Sequence, residues 1–303
     1  MVLKNAVLEI LEQNRDQSLS GQKIAGRLSV TRAAIWKAVE ELRQEGYIID
    51  AVTNRGYQLS QASDLLSEAG LRTYLRPGLE TLPVFIYKSI DSTSNEAKRI
   101  MLNTHHKGPF LVMTEEQTNG RGQPGRRFYS PPQTGLYMSL VATPRTDLGA
   151  TQMAIISASV AVCRAIEDLA NKYPSIKWPN DIILGERKIG GILTEGDFVS
   201  TIVQSLVIGI GVNIKTPIHE FPEVLRNKAG SLFPGNVSRN QLAAVIVNYL
   251  NAMETGEYPD FLGDYKERSL TLGQEISYVR QGVRHVGRAV DIDYHGRLIV
   301  EDL

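Results

Sequence analysis

Near Pro83 the apolar residues of this chain change their spacing, from the three-and-four step of amphipathic helices to short β-branched and aromatic runs. One regular architecture does not accommodate both patterns, and 303 residues exceed what a single small core serves, so two or three domains are expected. Before the change, Leu3, Val7, Ile10 and Leu11 fall on one helix face. Ser20 is an expected N-cap for a second short helix carrying Ile24 and Leu28. After a turn at Ser29-Val30, Thr31 caps a third helix with Ile35, Val39 and Leu42 inward, and Gly46 ends it. Tyr47–Val52 then reads as a strand, Thr53-Asn54-Arg55-Gly56 as a turn and Tyr57–Leu59 as the returning strand. Three helices and a hairpin make a winged helix-turn-helix over residues 1–62.

Residues 63–82 read as a linker with a weak helix, broken at Pro77-Gly78. Beyond it, strands are expected at Val84–Ser89, Phe110–Glu115, Leu136–Ala142, Ile182–Leu184, Lys188–Glu195 and Ser205–Ile214. Helices fit Ser94–Leu102, Gln152–Asn171 and Asn240–Glu254. The strands cluster rather than alternate strictly with helices, which favours an α+β mixed sheet over residues 83–262. Short strands near Glu275–Val279, Val286–Tyr294 and Arg297–Glu301 suggest a small β-barrel over residues 268–303.

Lys plus Arg and Asp plus Glu both number 33, so any nucleic-acid binding must come from a local patch. Within residues 1–60, eight basic side chains (Lys4, Arg15, Lys23, Arg27, Arg32, Lys37, Arg43, Arg55) face seven acidic ones (Glu9, Glu12, Asp16, Glu40, Glu41, Glu45, Asp50), a net of +1. If Ile35, Val39 and Leu42 point inward, then Arg32, Ala33, Trp36, Lys37 and Glu40 point outward. Small Ala33 allows close approach to a groove, Arg32 and Lys37 reach phosphate or a guanine edge, and Arg55 sits at the wing tip. Winged helices also bind proteins, but basic residues at the helix start and wing tip favour DNA, with Arg32, Ala33, Trp36, Lys37 and Arg55 as contacts. The lone Cys163 excludes an intramolecular disulfide and reads as a buried apolar residue. Charges among the first residues are unlike a signal peptide's apolar core, and no run is long enough to span a bilayer; a cytoplasmic protein with no membrane partner is expected.

Gly120-x-Gly122-x-x-Gly125 matches the dinucleotide fingerprint by spacing alone. That motif needs a helix directly after it, and Pro131-Pro132 forbid one, so a Rossmann site is rejected. What remains is a glycine-rich loop with Arg121, Arg126 and Arg127 and no acid, suited to closing over phosphate or carboxylate oxygens. Lys177-Trp178-Pro179-Asn180-Asp181 forms a rigid turn whose Asn180 and Asp181 suit a nucleotide or Mg²⁺, while Gly-x-x-x-x-Gly-Lys is absent. Asp91-Ser92-Thr93-Ser94-Asn95-Glu96 opens a helix, and Thr93 with Glu96 is expected to form a capping box.

These elements occur in the order seen in bifunctional biotin–protein ligases, which the chain resembles over nearly its whole length. The matching segments are Ser92-Thr93, Gly120–Arg126, Lys177–Asp181, Arg187–Gly191 and Gly209-Ile210-Gly211-Val212-Asn213. The resemblance implies a winged helix, a mixed-sheet ligase domain and a small SH3-like β-barrel. Leu303 falls before such a barrel ordinarily ends, so either the sequence is part of a longer chain or the barrel lacks a closing strand. The resemblance further implies an ATP-dependent enzyme that forms biotinyl-5'-AMP and passes biotin to a lysine of the biotin carboxyl carrier domains of carboxylases. The adenylate-bound form would be a homodimer that binds operator DNA and represses biotin genes. Ser92, Thr93, Ser94, Gln117, Arg121, Gly122, Gln123 and Lys188 would hold biotin. Arg126, Lys177, Asn180, Asp181 and Asn213 would lie at the nucleotide, with Asp181 a Mg²⁺ ligand and Lys188 and Arg121 catalytic. Family members often carry a basic residue where this chain has Gln123, so biotinyl-AMP release is expected to be faster than in Gln123→Arg. A ligase without repression, a sensor without catalysis and a lipoate-type ligase are the alternative readings.

Overall fold

A computed structural model describes residues 2–52, 55–104, 108–123, 125–142, 150–199, 202–233 and 237–302. The expected wing-turn residues Thr53 and Asn54, and Pro124 of the arginine loop, lie outside the described residues. The chain divides into two compact units, residues 1–80 with 235–244, and residues 81–234 with 245–303.

In the first unit, helices α1 (Leu3–Glu12), α2 (Gly21–Leu28) and α3 (Arg32–Gln44) precede strands β1 (Ile49–Val52) and β2 (Gly56–Leu59). Ser20 Oγ accepts from Lys23 N and Thr31 Oγ1 from Ala34 N, so both expected caps form. Ser29 takes a left-handed conformation (φ 54°) and turns α2 into α3. Val7, Leu11, Ile24, Ile35, Val39, Leu42 and Leu59 close one core. The hairpin pairs Ile49 with Leu59 and Val52 with Gly56. Leu19 and Tyr57 exchange two 2.8 Å backbone hydrogen bonds, giving β2 a second neighbour. A Cβ on Gly56 (φ 109°) would collide with the Leu19 carbonyl, so only glycine fits where the wing returns. The linker carries helix α4 (Glu68–Arg72), and buried Arg239, at the start of α7 (Arg239–Thr255), pairs with Asp64.

The second unit is built on a seven-stranded sheet in the order β3-β4-β5-β9-β8-β7-β6. Its strands are β3 (Val84–Tyr87), β4 (Phe110–Thr114), β5 (Gly135–Ala142), β6 (Ser175–Lys177), β7 (Asp181–Leu184), β8 (Arg187–Val199) and β9 (Ile202–Asn213). Only β3 and β4 run parallel; the other neighbours are antiparallel, as a mixed α+β sheet requires. Helix α6 (Ala150–Ala170) packs on β7, β8 and β9, and Ile182, Ile192, Ile210 and Val212 are buried. Helix α5 (Thr93–Thr104) packs on β4, β5 and β9. Cys163 on α6 is fully buried, and burial pushes its thiol up to about 12, which makes it an inert core residue. Strand β6 and helix α8 (Phe261–Glu267) were not anticipated from the pattern of residues. Three strands, β10 (Glu275–Arg280), β11 (Val283–Ile292) and β12 (Leu298–Asp302), form an antiparallel sheet in that order.

Candidate functional site

Strand parity places the site. Across β9 and β5, Ser139 pairs with Gly209 and Tyr137 with Gly211; across β8, Gly191 pairs with Gly211 and Leu193 with Gly209. The alternate residues Ile192, Ile210 and Val212 point to the other face of the sheet and are buried there, so these glycines and Ser139 share the opposite face. A register shift between Ile182 and Ile183 breaks the alternation of β8, bringing Lys188 to the same side as Gly191. A Cβ on Gly191 would lie 3.3 Å from Lys188 Nζ, so the missing side chain gives the lysine room to lie along the strand. Lys188 Nζ donates to Asp181 Oδ1 at 2.5 Å on the neighbouring strand. The backbone of Lys188 is fixed by Lys188 N to Lys228 O (2.8 Å) and Gly230 N to Lys188 O (2.9 Å).

The start of α5 supplies a buried polar cluster. Ser92, Thr93, Ser94 and Ser139 are all nearly inaccessible. Thr93 N and Thr93 Oγ1 both donate to Gln117 Oε1, at 3.0 and 3.2 Å. Ser139 Oγ donates to Thr93 Oγ1 at 2.8 Å and lies 3.1 Å from Ser94 Oγ. Gln117 Nε2 donates to Ser130 Oγ at 2.8 Å, while the buried Ser92 Oγ has no hydrogen-bond partner among the described residues. The expected capping box is therefore corrected. The Thr93 amide is taken by Gln117, and the Glu96 carboxylate turns instead to Tyr87 Oη (3.0 Å) and Arg99 Nε (2.7 Å). A partner from a distant loop satisfied the helix end, which local spacing does not reveal. Arg99 also holds the Asp91 carboxyl well below the usual carboxylate range by hydrogen bonding.

The arginine loop is anchored at its base. Phe128 N donates to Gly120 O at 3.0 Å, and a Cβ on Gly120 would collide with the Phe128 carbonyl. The Phe128 ring lies on Gly211, where a Cβ would come within 2.7 Å of Cε1. Arg121 reaches α5 and β8, donating to Asn95 Oδ1 at 2.9 Å and pairing with Glu195 Oε1 at 2.9 Å. Lys98 Nζ binds the same Glu195 oxygen at 2.9 Å. Gly122 N bonds Arg126 O at 3.2 Å, and the Arg126 side chain is exposed. Gln123 Nε2 points at Asn180 Oδ1 at 3.5 Å.

Other expected residues are placed less openly. Asn180 is buried, and its Nδ2 donates to Ile192 O at 2.6 Å, so it braces the turn before β7. Asn213 is buried too, donating to Gly230 O at 3.1 Å and leaving Oδ1 without a partner among the described residues. Lys177 is exposed at the end of β6. Trp178 Nε1 donates to Gly296 O at 3.2 Å and Trp178 N to Thr271 Oγ1 at 3.0 Å, so this tryptophan joins the turn to the C-terminal sheet. Among the described residues, no group of three His, Cys, Asp or Glu side chains converges as a metal site. Asp181 is a single carboxylate already facing Lys188. Such a donor set suits only a Mg²⁺ that arrives on a nucleotide's phosphates. Ser139, Ser130, Asn95, Phe128 and Glu195 enter the site without having been singled out beforehand. A sequence signal that could find them is Gly209-x-Gly211, whose bare strand marks close approach from above.

On the winged helix, Arg32, Ala33, Trp36, Lys37 and Arg55 are all exposed, Trp36 by 58%. Ion pairing sorts the near-neutral charge: Lys4, Arg15 and Arg43 pair with Glu45, Glu12 and Glu40. Lys23, Arg27, Arg32, Lys37 and Arg55 have no ion pair among the described residues. The unpaired cations thus lie on α2, α3 and the wing.

Comparison with known proteins agrees with this geometry. Residues 86–213 match the "Biotin/lipoate A/B protein ligase family" and residues 4–58 an "HTH domain". The chain is 33% identical to the bifunctional ligase/repressor BirA of Bacillus subtilis, over 99% of this chain and 94% of that protein. This chain belongs to the bifunctional biotin ligase/repressor family. The Escherichia coli family member is 26% identical over 93% of this chain and 88% of its own length. Among solved structures, the biotin protein ligase of Leishmania major in complex with biotinyl-5-AMP is 26% identical (TM-score 0.52), covering 73% of this chain and 98% of that one. The Aquifex aeolicus biotin protein ligase with biotin and ATP shares the fold at 23% identity (TM-score 0.59), over 73% of this chain and 95% of that one.

Proposed function

We propose that this chain is an ATP-dependent biotin–protein ligase that is also a DNA-binding repressor of biotin genes. The observation that carries the ligase reading is the convergence of Lys188, the arginine loop and the Thr93–Gln117 cluster on one face of the sheet. In the first step a biotin carboxylate oxygen bonds to the α-phosphorus of ATP as the bond to pyrophosphate breaks. Two anions must meet, so fixed positive charge and positioning matter more than a protein nucleophile. Lys188 supplies that charge between carboxylate and α-phosphate, and Arg121 closes with its loop over the adenylate. In the second step the amine of a carrier-domain lysine attacks the acyl carbon of the mixed anhydride, AMP leaves and an amide forms.

Ser92, Thr93, Ser94, Gln117, Gly122 and Gln123 belong to the biotin side of this reading. Arg126, Lys177, Asn180, Asp181 and Asn213 belong to the nucleotide side, where Asp181 meets the Mg²⁺ delivered with ATP. Residues 1–62 form the DNA-binding domain, 63–82 the linker, 83–262 the ligase domain and 268–303 an SH3-like domain of which β10–β12 are part. Unpaired cations on α2, α3 and the wing support operator contact through Arg32, Ala33, Trp36, Lys37 and Arg55. The adenylate-bound form pairs as a homodimer on DNA. No helix among the described residues is long and apolar enough to cross a membrane, and the proposed site of action is the cytoplasm.

The test is to incubate the protein with Mg-ATP, a biotin carrier domain and either biotin or lipoate, and to weigh the acceptor. A gain of one biotin, lost in Lys188→Ala, supports the reading. Transfer of lipoate alone, or no transfer, overturns it.

A further inference from the structure

The polar cluster under α5 has a fixed direction. Each hydroxyl has one proton to donate. Ser139 spends its proton on Thr93 Oγ1, so the Ser94–Ser139 contact must be donated by Ser94. Thr93 spends its own on Gln117 Oε1, which also receives the Thr93 amide and is thereby saturated. Gln117 Nε2 uses one hydrogen on Ser130 Oγ, whose proton goes to Phe128 O at 3.1 Å. The unspent donors are therefore specific: one N–H of Gln117 and the hydroxyl of Ser92, buried and without a partner among the described residues, with a free lone pair of Thr93 Oγ1 as an acceptor beside them. A cyclic urea, with a carbonyl acceptor flanked by N–H donors, matches those groups in kind. A dithiolane ring offers nothing to them.

The weak point of this arrangement is the Thr93 rotor. The Gln117 amide is oriented by the Thr93 backbone N–H whatever the hydroxyl does, whereas the hydroxyl's own bond to Gln117 Oε1 is long at 3.2 Å and holds its proton there only while a donor on Thr93 Oγ1 keeps it from turning toward Ser139. Ser139 is that donor. It is fully buried on β5, and it faces Gly209, where a Cβ would lie 2.8 Å from Ser94 Oγ and 3.6 Å from Ser139 Oγ. The bare glycine leaves space for the relay to assemble. We infer that Ser139 is a positioning residue for head-group specificity: by donating to Thr93 it holds that hydroxyl as an acceptor toward a ligand N–H. This inference rests on the ligase reading above, deepening its account of how biotin is told from lipoate.

The test is a double-mutant cycle on the full chain, read by calorimetric titration with biotin and by the KM for ATP. Ser139→Ala is expected to weaken biotin binding about five- to tenfold, the scale of one neutral hydrogen bond, with the KM for ATP unchanged within about twofold. In a Thr93→Val background, which keeps the shape but removes the hydroxyl, the same Ser139→Ala change is expected to have no further effect. A full additional loss in that background means that Ser139 acts other than through Thr93 and overturns the inference. So does unchanged biotin affinity in Ser139→Ala, or a rise in the KM for ATP equal to the loss of biotin affinity, which marks a general structural defect. If Ser139→Ala does not fold, Ser94→Ala removes the donor at the outer end of the relay and is expected to shift biotin affinity in the same direction, less strongly; no shift overturns the inference. Failure of the wild-type chain to bind biotin overturns the ligase reading together with this one, whereas biotin binding that ignores Ser139 overturns this one alone.

Discussion

Lys188 Nζ lies 2.5 Å from Asp181 Oδ1, an ion pair held between neighbouring strands of the sheet. Its position suits a lysine that must be aimed without being neutralised, because the carboxylate is on one side and the open glycine strand on the other. Asp181→Ala is expected to lower kcat/KM for adenylate formation about tenfold. Lys188→Ala is expected to lower it by ~10²–10³, the range for loss of one preorganised donor to a developing charge. The share of the Asp181 effect that acts through the ammonium should vanish in the Lys188→Ala background, and any further loss there measures its separate hold on Mg²⁺. Pyrophosphate release in single-turnover assays checks this, and additive losses would argue for independent roles.

Phe128 presses on Gly211, and the base of the arginine loop depends on that contact. Gly211→Ala forces the ring to move by a few tenths of an ångström or more. A displacement of that kind at a positioning element typically costs up to ~10² in rate. Biotin-dependent pyrophosphate exchange should fall by roughly tenfold or more, while the melting temperature changes little. A fully active variant would show that the loop base is not held from below.

Five unpaired cations on the winged helix imply an uneven response to charge removal. Arg32→Ala and Arg55→Ala should each weaken operator binding by about 1–3 kcal/mol if they read bases, or reduce the salt slope by about one if they meet phosphate. Lys4→Ala, whose lysine already pairs with Glu45, should do neither. Fluorescence anisotropy over a salt series separates the cases.

Asp264 is nearly buried in a network with Arg164, Arg268 and Glu167. Burial alone would raise its carboxyl, but hydrogen bonds from Tyr258 and Arg164 and the charge of Arg268 outweigh that and hold it below the usual range. Its stabilisation is therefore present above the ordinary carboxylate pKa of about 4 and is lost as pH falls below it. Asp264→Ala should cost roughly 3 kcal/mol at pH 7, as removal of one partner of a buried pair does. That corresponds to a fall in Tm of about 6–12 °C for a unit this size. Melting at pH 7 and pH 3 should show the gap between variant and wild type narrowing in acid.

Much of the fold was legible because its signals are local. Ser20 and Thr31 announce helix starts, and Gly46 an end, each within one turn of the residues it governs. Strand β6 escaped because three residues carry no period; it exists through its pairing with β7 and through Ile176, whose amide and carbonyl bond Arg268 O and Leu270 N at 2.8 and 2.9 Å on the other side. The site was half legible for the same reason. Loop, turn and lysine motifs stand out as contiguous strings, whereas Ser139 and Glu195 act on partners 46 and 74 positions away in the chain. The Thr93–Glu96 spacing pointed to a cap, and Gln117 took its place from 24 positions on.

The register shift beside Ile183 gives β8 a reading frame. Lys188 and Glu195 are seven positions apart, an odd interval that would put them on opposite faces of a regular strand, yet both serve the same face. One extra residue in the strand corrects the count. Deleting a single residue between Lys188 and Gly191 would therefore act as a frameshift in space. Every residue of the site would survive in name, and the lysine would face the hydrophobic core under α6.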